Sequence, residues 1–286
     1  YVKDVISMDY MFRGTSMTGI DFSNVNFEKI TSIKYMFADC FMEEFSYTIP
    51  KTITSLQGFL SGCSNLKTLR NFHIESNVVV TDWLLNSPIE NLIDCTFYNQ
   101  NSTFAGVTTL KRIENVKYLT ANFSNYFEGC TSLQTALITI PNNVTKTNSL
   151  FKNCPELTRV EFTSDSDLSK LLTINDMFNG DTKLSTIVNM KITNPSTSAN
   201  TTTLTGCPIN NTDGLYLNSN SVMAMFRMGA ESRITKFTDF ELGENANNLY
   251  DLFMDYPNLI EDIELPLHVV NVSNMFKNCL RMENVH

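Results

Sequence analysis

Seven cysteines, three histidines and 30 carboxylates are the side chains here with chemistry to offer, and their spacing decides which chemistry is open to them. A zinc site needs thiol or imidazole ligands paired about two to four residues apart. None of Cys40, Cys63, Cys95, Cys130, Cys154, Cys207 and Cys279 has a second cysteine or a histidine that close. A nucleophile needs a base beside it, yet His73, His268 and His286 lie in separate stretches of chain and suggest no such pair. Glu43 with Glu44, and Glu261 with Asp262 and Glu264, have the composition of an acid/base pair or a cation site; solvated faces of a strand and its turn account for both. The 11 glycines are scattered and build no phosphate loop. The expectation is a chain without catalytic residues, metal or cofactor.

What the cysteines do show is a period. Six of the seven, all but Cys95, fall three residues after a large apolar anchor, in segments such as YMFADC, NYFEGC, SLFKNC and NMFKNC. Weaker copies extend the series to Phe12, Phe37, Leu60, Leu84, Phe104, Phe127, Phe151, Phe178, Leu204, Phe226, Phe253 and Phe276, spaced 20 to 27 residues apart. That is the period of a leucine-rich repeat. Thr15, Ser87, Val107, Asp181, Gly229 and Tyr256 take the cysteine slot in other copies, so the slot reads as a small buried position whose thiols form a reduced ladder. Cys95, outside the slot, is the one thiol with a case for exposure, although burial suits it too.

Apolar residues recur seven, four and one positions before each anchor, which predicts a short helical or 3₁₀ segment. An alternating stretch follows the slot, as in LTRVEF, and predicts a short strand. One such turn cannot bury its own apolar face, so turns must stack. The fold class expected is a repeat solenoid, leucine-rich-repeat-like, of about twelve turns, each pairing a short parallel strand with a short helical or 3₁₀ segment, forming a single domain over 1–286. Seven of the eight prolines sit at element ends or just after the slot, as a ladder without a proline donor requires; Pro195 is the exception. It opens NPSTSANTTT, which, with NQNST at 99–103, reads as a looped-out or degenerate turn. The chain starts and stops inside repeats and reads as a fragment of a longer polypeptide.

The unit V-x-x-I-x-x-M-F-x-x-C-x-x-L-x-x-I-x-L-P, carried by VVNVSNMFKNCLRMENV and NNVTKTNSLFKNCPELTRVEF, resembles the BspA-like leucine-rich repeats, in the variant with a Met-Phe anchor found in bacterial surface proteins. That resemblance implies an extracytoplasmic module for adhesion or protein recognition, known in surface proteins of bacteria and some protozoa and similar to proteins of phages. It does not imply an enzyme.

A net charge of −9, without a basic cluster, argues against nucleic acid and anionic membrane as partners, and no apolar run is long enough to span a bilayer. The strands of such a solenoid line its concave side. The residue after each strand's central apolar position gives an outward row of Asp21, Ser46, Arg70, Glu114, Leu137, Glu161, Val188 and Glu264, mixed polar with an acidic bias. Of these, Asp21, Ser46, Arg70, Glu114, Glu161 and Glu264 are the expected contacts for a protein or glycan on a host or neighbouring cell. Recognition by a loop, or by the degenerate turn at 196–203, stands beside this reading. So does a structural role in a virion or cell envelope, through homo-oligomeric contacts of the solenoid ends.

Overall fold

The structure, a computed structural model, describes residues 4–17, 28–98, 104–226, 233–260 and 263–283. They fall into two compact units, Tyr1–Ser102 with Thr109–Thr120, and Thr103–Thr108 with Ala121–His286. Both are parallel β-solenoids. In the first, β1 (Glu44–Ile49), β2 (Thr68–Ile74), β3 (Asn91–Ile93), β4 (Thr96–Phe97) and β5 (Arg112–Tyr118) come from successive turns, β3 and β4 sharing one. All their pairings are parallel, β1 with β2, and β3 and β4 each lying between β2 and β5. In the second unit β6 (Thr135–Thr139), β7 (Arg159–Phe162), β8 (Thr186–Val188) and β10 (Asn211–Asp213) form one ladder. A second, shorter ladder there joins β9 (Lys191–Ile192), β11 (Tyr216–Leu217) and β12 (Glu241–Leu242).

In the longer ladders strand pairing marks eight turns, four in each unit, and β12 adds a ninth, where the anchors count about twelve. The strand stretch after Phe12 lies outside the described residues. The turns anchored at Phe253 and Phe276 stay in the stack through bonds at the anchor, Leu249 N–H to the Asn271 carbonyl and Phe253 N–H to that of Met275, and carry no run of paired strand residues among those described.

The expected helical segment is absent from nearly every turn. Among the described residues the 3₁₀ stretch Ser221–Phe226 is the one helix. The apolar spacing was correct but its backbone cause was not. Residues two before and two after most anchors have left-handed φ, for instance Tyr35 (53°) and Asp39 (58°) around Phe37, or Asn125 (64°) and Gly129 (73°) around Phe127. Two such residues in five prevent any continuous helix. The amides turn instead to the neighbouring coil: Phe37 N–H donates to the Phe59 carbonyl, Phe127 N–H to that of Leu150, Phe151 N–H to that of Met177. Asn, Asp and Gly dominate these positions because they tolerate φ > 0 best.

Inside, the anchors stack. The rings of Phe127, Phe151 and Phe178 lie 5.6 and 6.0 Å apart at 10° and 3°, all fully buried. Each such ring contributes about 1.5–3 kcal/mol by burial.

The cysteine slot is a second column, with a function beyond filling space. Each thiol donates to the carbonyl of the preceding anchor: Cys40 to Phe12, Cys63 to Phe37, Cys130 to Phe104, Cys154 to Phe127, Cys207 to Phe178 and Cys279 to Phe253, at 2.9–3.2 Å. Where cysteine is replaced, Ser87 Oγ donates to Leu60 O and Tyr256 Oη to Phe226 O, both at 2.6 Å. In these turns the slot holds a hydrogen-bond donor to the preceding anchor's carbonyl, whereas Val107 fills it without one. All seven cysteines are free thiols. Cys95 is buried at the bend between β3 and β4, its thiol against the Leu69 and Ile93 carbonyls.

Asp181 occupies the same slot, fully buried. Its Oδ1 accepts the Cys154 N–H at 2.7 Å, while Oδ2 is buried without a partner. Desolvation pushes the carboxyl up to about 9 against the opposing pull of the Cys154 amide, so it is a neutral acid at pH 7.

The degenerate turn at 196–203 is not looped out. Thr197 and Thr203, in slots that hold Leu171 and Met177 one turn earlier, are fully buried, and their hydroxyls donate to the Leu171 and Ile174 carbonyls. Threonine is accepted in an apolar slot because its one polar atom finds a backbone acceptor. The 99–103 segment lies outside the described residues.

Candidate functional site

The outward row is set by the ladder register. In the first unit Arg70, Ile93 and Glu114 occupy one rung. Exposed Ser46 sits beside it, at the irregularity between Phe45 and Tyr47 where β1 shifts against β2. In the second unit Leu137, Glu161, Val188 and Asp213 make one rung. Val188 is buried, so the row there presents Leu137, Glu161 and Asp213, each half-buried. Glu264 is exposed next to the bridged Ile263, outside any named strand, and Asp21 lies outside the described residues.

The acidic bias expected of this row is largely cancelled. Glu114 pairs with Arg112 two residues back at 2.5 Å, Glu161 with Arg159 at 2.8 Å, and Arg70 with Glu44 on the adjacent strand at 3.1 Å. In a strand, residues two apart share a face, so each arginine comes up beside its glutamate. Sequence reading followed a single position per turn and missed these partners.

A groove of about 460 Å³ in the second unit was missed as well. At the kink between the two ladders the chain passes through a left-handed residue in each turn: Asn189 (57°), Gly214 (64°), Asp239 (50°). Equivalent kinks in the first unit carry Asn71, Asp94 and Asn115. Gly214 alone brings no side chain, and it lines the groove together with the Asn189 side chain that leans over it. The next outward rung is Lys191, Tyr216 and Glu241, fixed by the β9–β11–β12 pairing. The signal available in the sequence was a glycine at a repeat position otherwise held by Asn or Asp.

Burial pushes the Cys63 and Cys95 thiols up to about 11 and Cys130 up to about 12, and raises Cys154, Cys207 and Cys279 as well. Such thiols supply little thiolate at neutral pH. On the outward face Glu44, Glu114 and Glu161 stand in charge pairs with Arg70, Arg112 and Arg159.

Architecture and slot chemistry define a leucine-rich-repeat-like parallel solenoid. Residues 98–211 match, in six copies, the family model described as BspA type Leucine rich repeat region. Residues 1–76 match a model described as Mycoplasma protein of unknown function, DUF285. A leucine-rich repeat protein from Bacteroides ovatus of known crystal structure is similar at 16% identity and a TM-score of 0.38, over 75% of this chain and 70% of that one. No curated protein matches the chain in sequence. Among the described residues no helix is long and apolar enough to cross a membrane.

Proposed function

We propose that this chain is a non-catalytic recognition module, displayed extracellularly or at a cell surface, that binds a protein or glycan partner through the outward strand face. The observation that supports it is the in-register outward row, in which Arg70, Glu114 and Glu161 stand in charge pairs on rigid paired strands. Side chains held by a ladder present a fixed pattern without paying for loop ordering on binding. Arg and carboxylate together suit a polar partner of mixed charge.

Charge reversal tests this. Glu114→Lys with Glu161→Lys places like charges beside Arg112 and Arg159, and binding of the purified protein to partner cells is expected to fall at least about tenfold. Both glutamates sit in partly exposed pairs, so the stability cost stays near ~1 kcal/mol. Unchanged cell binding in a folded double variant removes the outward face as the contact.

A second reading, a structural component of a virion or envelope that packs against further copies, draws on the exposed apolar side chains of Leu267, Val270 and Leu280. Solution mass separates the two: a monodisperse monomer favours recognition, a fixed oligomer the structural role.

A further inference from the structure

Two glycines set the side chains around the groove: Gly214, which lines it, and Gly243, beside Tyr216. At Gly214 an added Cβ would lie 2.7 Å from Asn189 Oδ1, so the Asn189 carboxamide leans over the position that a side chain would fill. At Gly243 an added Cβ would lie 2.5 Å from Tyr216 Oη and 2.3 Å from Asn218 Oδ1. The Tyr216 side chain therefore lies down along the sheet, across the next turn, instead of standing off it. A flat aromatic side chain at the edge of an open recess is the result.

Charge in the recess differs from charge on the rest of the face. Elsewhere several carboxylates are matched: Glu44, Glu90, Glu114, Glu156 and Glu161 each hold an arginine or lysine. Around the groove Asp213, Asp239, Glu241 and Lys191 have no ion pair among the described residues, although Lys191 and Glu241 flank Tyr216 on the same rung. The groove thus offers fixed acceptors and a fixed donor, all still in water.

Three carboxylates against one ammonium repel phosphate, sulfate and acidic sugars. Lys191 on the central rung works against a cationic occupant. Among the described residues no cluster of three His, Cys, Asp or Glu side chains could hold a metal ion. What remains matched is a group that both donates and accepts at several points around a flat body. Vicinal hydroxyls donate to Asp213, Asp239 and Glu241 and accept from Lys191 and the Asn189 amide, while the C–H face of a ring packs on Tyr216. At about 460 Å³ the recess lies within the ~300–1,000 Å³ range of small-molecule sites.

We propose that this groove is a subsite for one uncharged pyranose ring of a glycan, with Tyr216 as its platform and Asn189, Asp213, Asp239 and Lys191 as its hydroxyl partners. The proposal rests on the recognition reading and names the ligand class at one part of the face.

The test is saturation-transfer NMR on the full chain with glucose, galactose, mannose and N-acetylglucosamine as probes. At least one is expected to receive saturation at its ring protons. Tyr216→Ala and Gly214→Asn are each expected to weaken the effect about tenfold, the loss of one stacking or steric match. Asn already occupies the equivalent left-handed position at Asn71, Asn115 and Asn189, so Gly214→Asn has a conformation open to it; circular dichroism and melting temperature verify folding. Absence of saturation with every sugar, or equal saturation in folded variants, overturns the subsite, as does binding of an arginine-rich peptide that these sugars fail to displace. If cell binding responds to Glu114→Lys with Glu161→Lys but not to Gly214→Asn, the recognition role stands and the subsite falls. If sugar binding is lost in Gly214→Asn while the double charge reversal leaves cell binding intact, the reverse holds.

Discussion

Replacing Asp181 by asparagine should make the protein more stable at neutral and alkaline pH and leave it little changed below about pH 4. In the slot it occupies, cysteine, serine and tyrosine all donate to the carbonyl of the preceding anchor. Asp181 can do so only while protonated, and no described hydrogen bond reaches the Phe151 carbonyl, its counterpart in the series. Burial holds the folded carboxyl near 9, whereas an unfolded aspartate titrates near ~3.9. The folded pKa is the raised one, so the folded state keeps a proton that the unfolded state releases. The stabilisation is complete below about pH 4, declines as pH rises, and is gone once the folded carboxyl itself ionises near 9. At about 1.4 kcal/mol per pH unit, three units between pH 4 and pH 7 amount to a loss on the order of 4 kcal/mol. Asparagine keeps the acceptor for Cys154 N–H, supplies a permanent N–H donor and does not titrate. Urea unfolding of both proteins at pH 5, 7 and 8.5 should show the gap in favour of Asp181→Asn widening by several kcal/mol across the series. Parallel curves at all three pH values would mean that Asp181 is ionised in the fold or exposed to water, and the slot argument would fail.

Four further outcomes follow from the same packing. Phe151→Ala, in the stack between Phe127 and Phe178, should cost about 3–5 kcal/mol in denaturant unfolding. Gly62→Ala should lose at least about 1 kcal/mol and lower the melting temperature, because φ is +75° and the new Cβ would sit 2.1 Å from Asp39 Oδ1. The six buried thiols should resist a thiol reagent at pH 7.5 until denaturant is added, while Cys279, less buried than the rest, reacts first; Cys63→Ser, which keeps the donor to Phe37 O, should unfold later than Cys63→Ala by about 1 kcal/mol.

The period, most of the anchors and the thiol column were legible in the residues themselves, because stacking turns repeat a demand for burial that each turn must meet with similar residues at similar places. Arg70 with Glu114, and Glu161 with Leu137, were placed correctly from alternation alone, since in a parallel ladder the register follows the repeat. Alternation could not say how the backbone between anchors is bonded. Apolar steps of three look the same whether amides bond within a helix or to the next coil, and only the left-handed pairs around each anchor, with partners some 25 residues away, decided for the coil. The arginine partners of the acidic row, the neutral Asp181 and the recess at Gly214 also belong to tertiary structure. Each depends on what an adjacent turn puts next to a residue, and burial pattern along one turn carries no record of that.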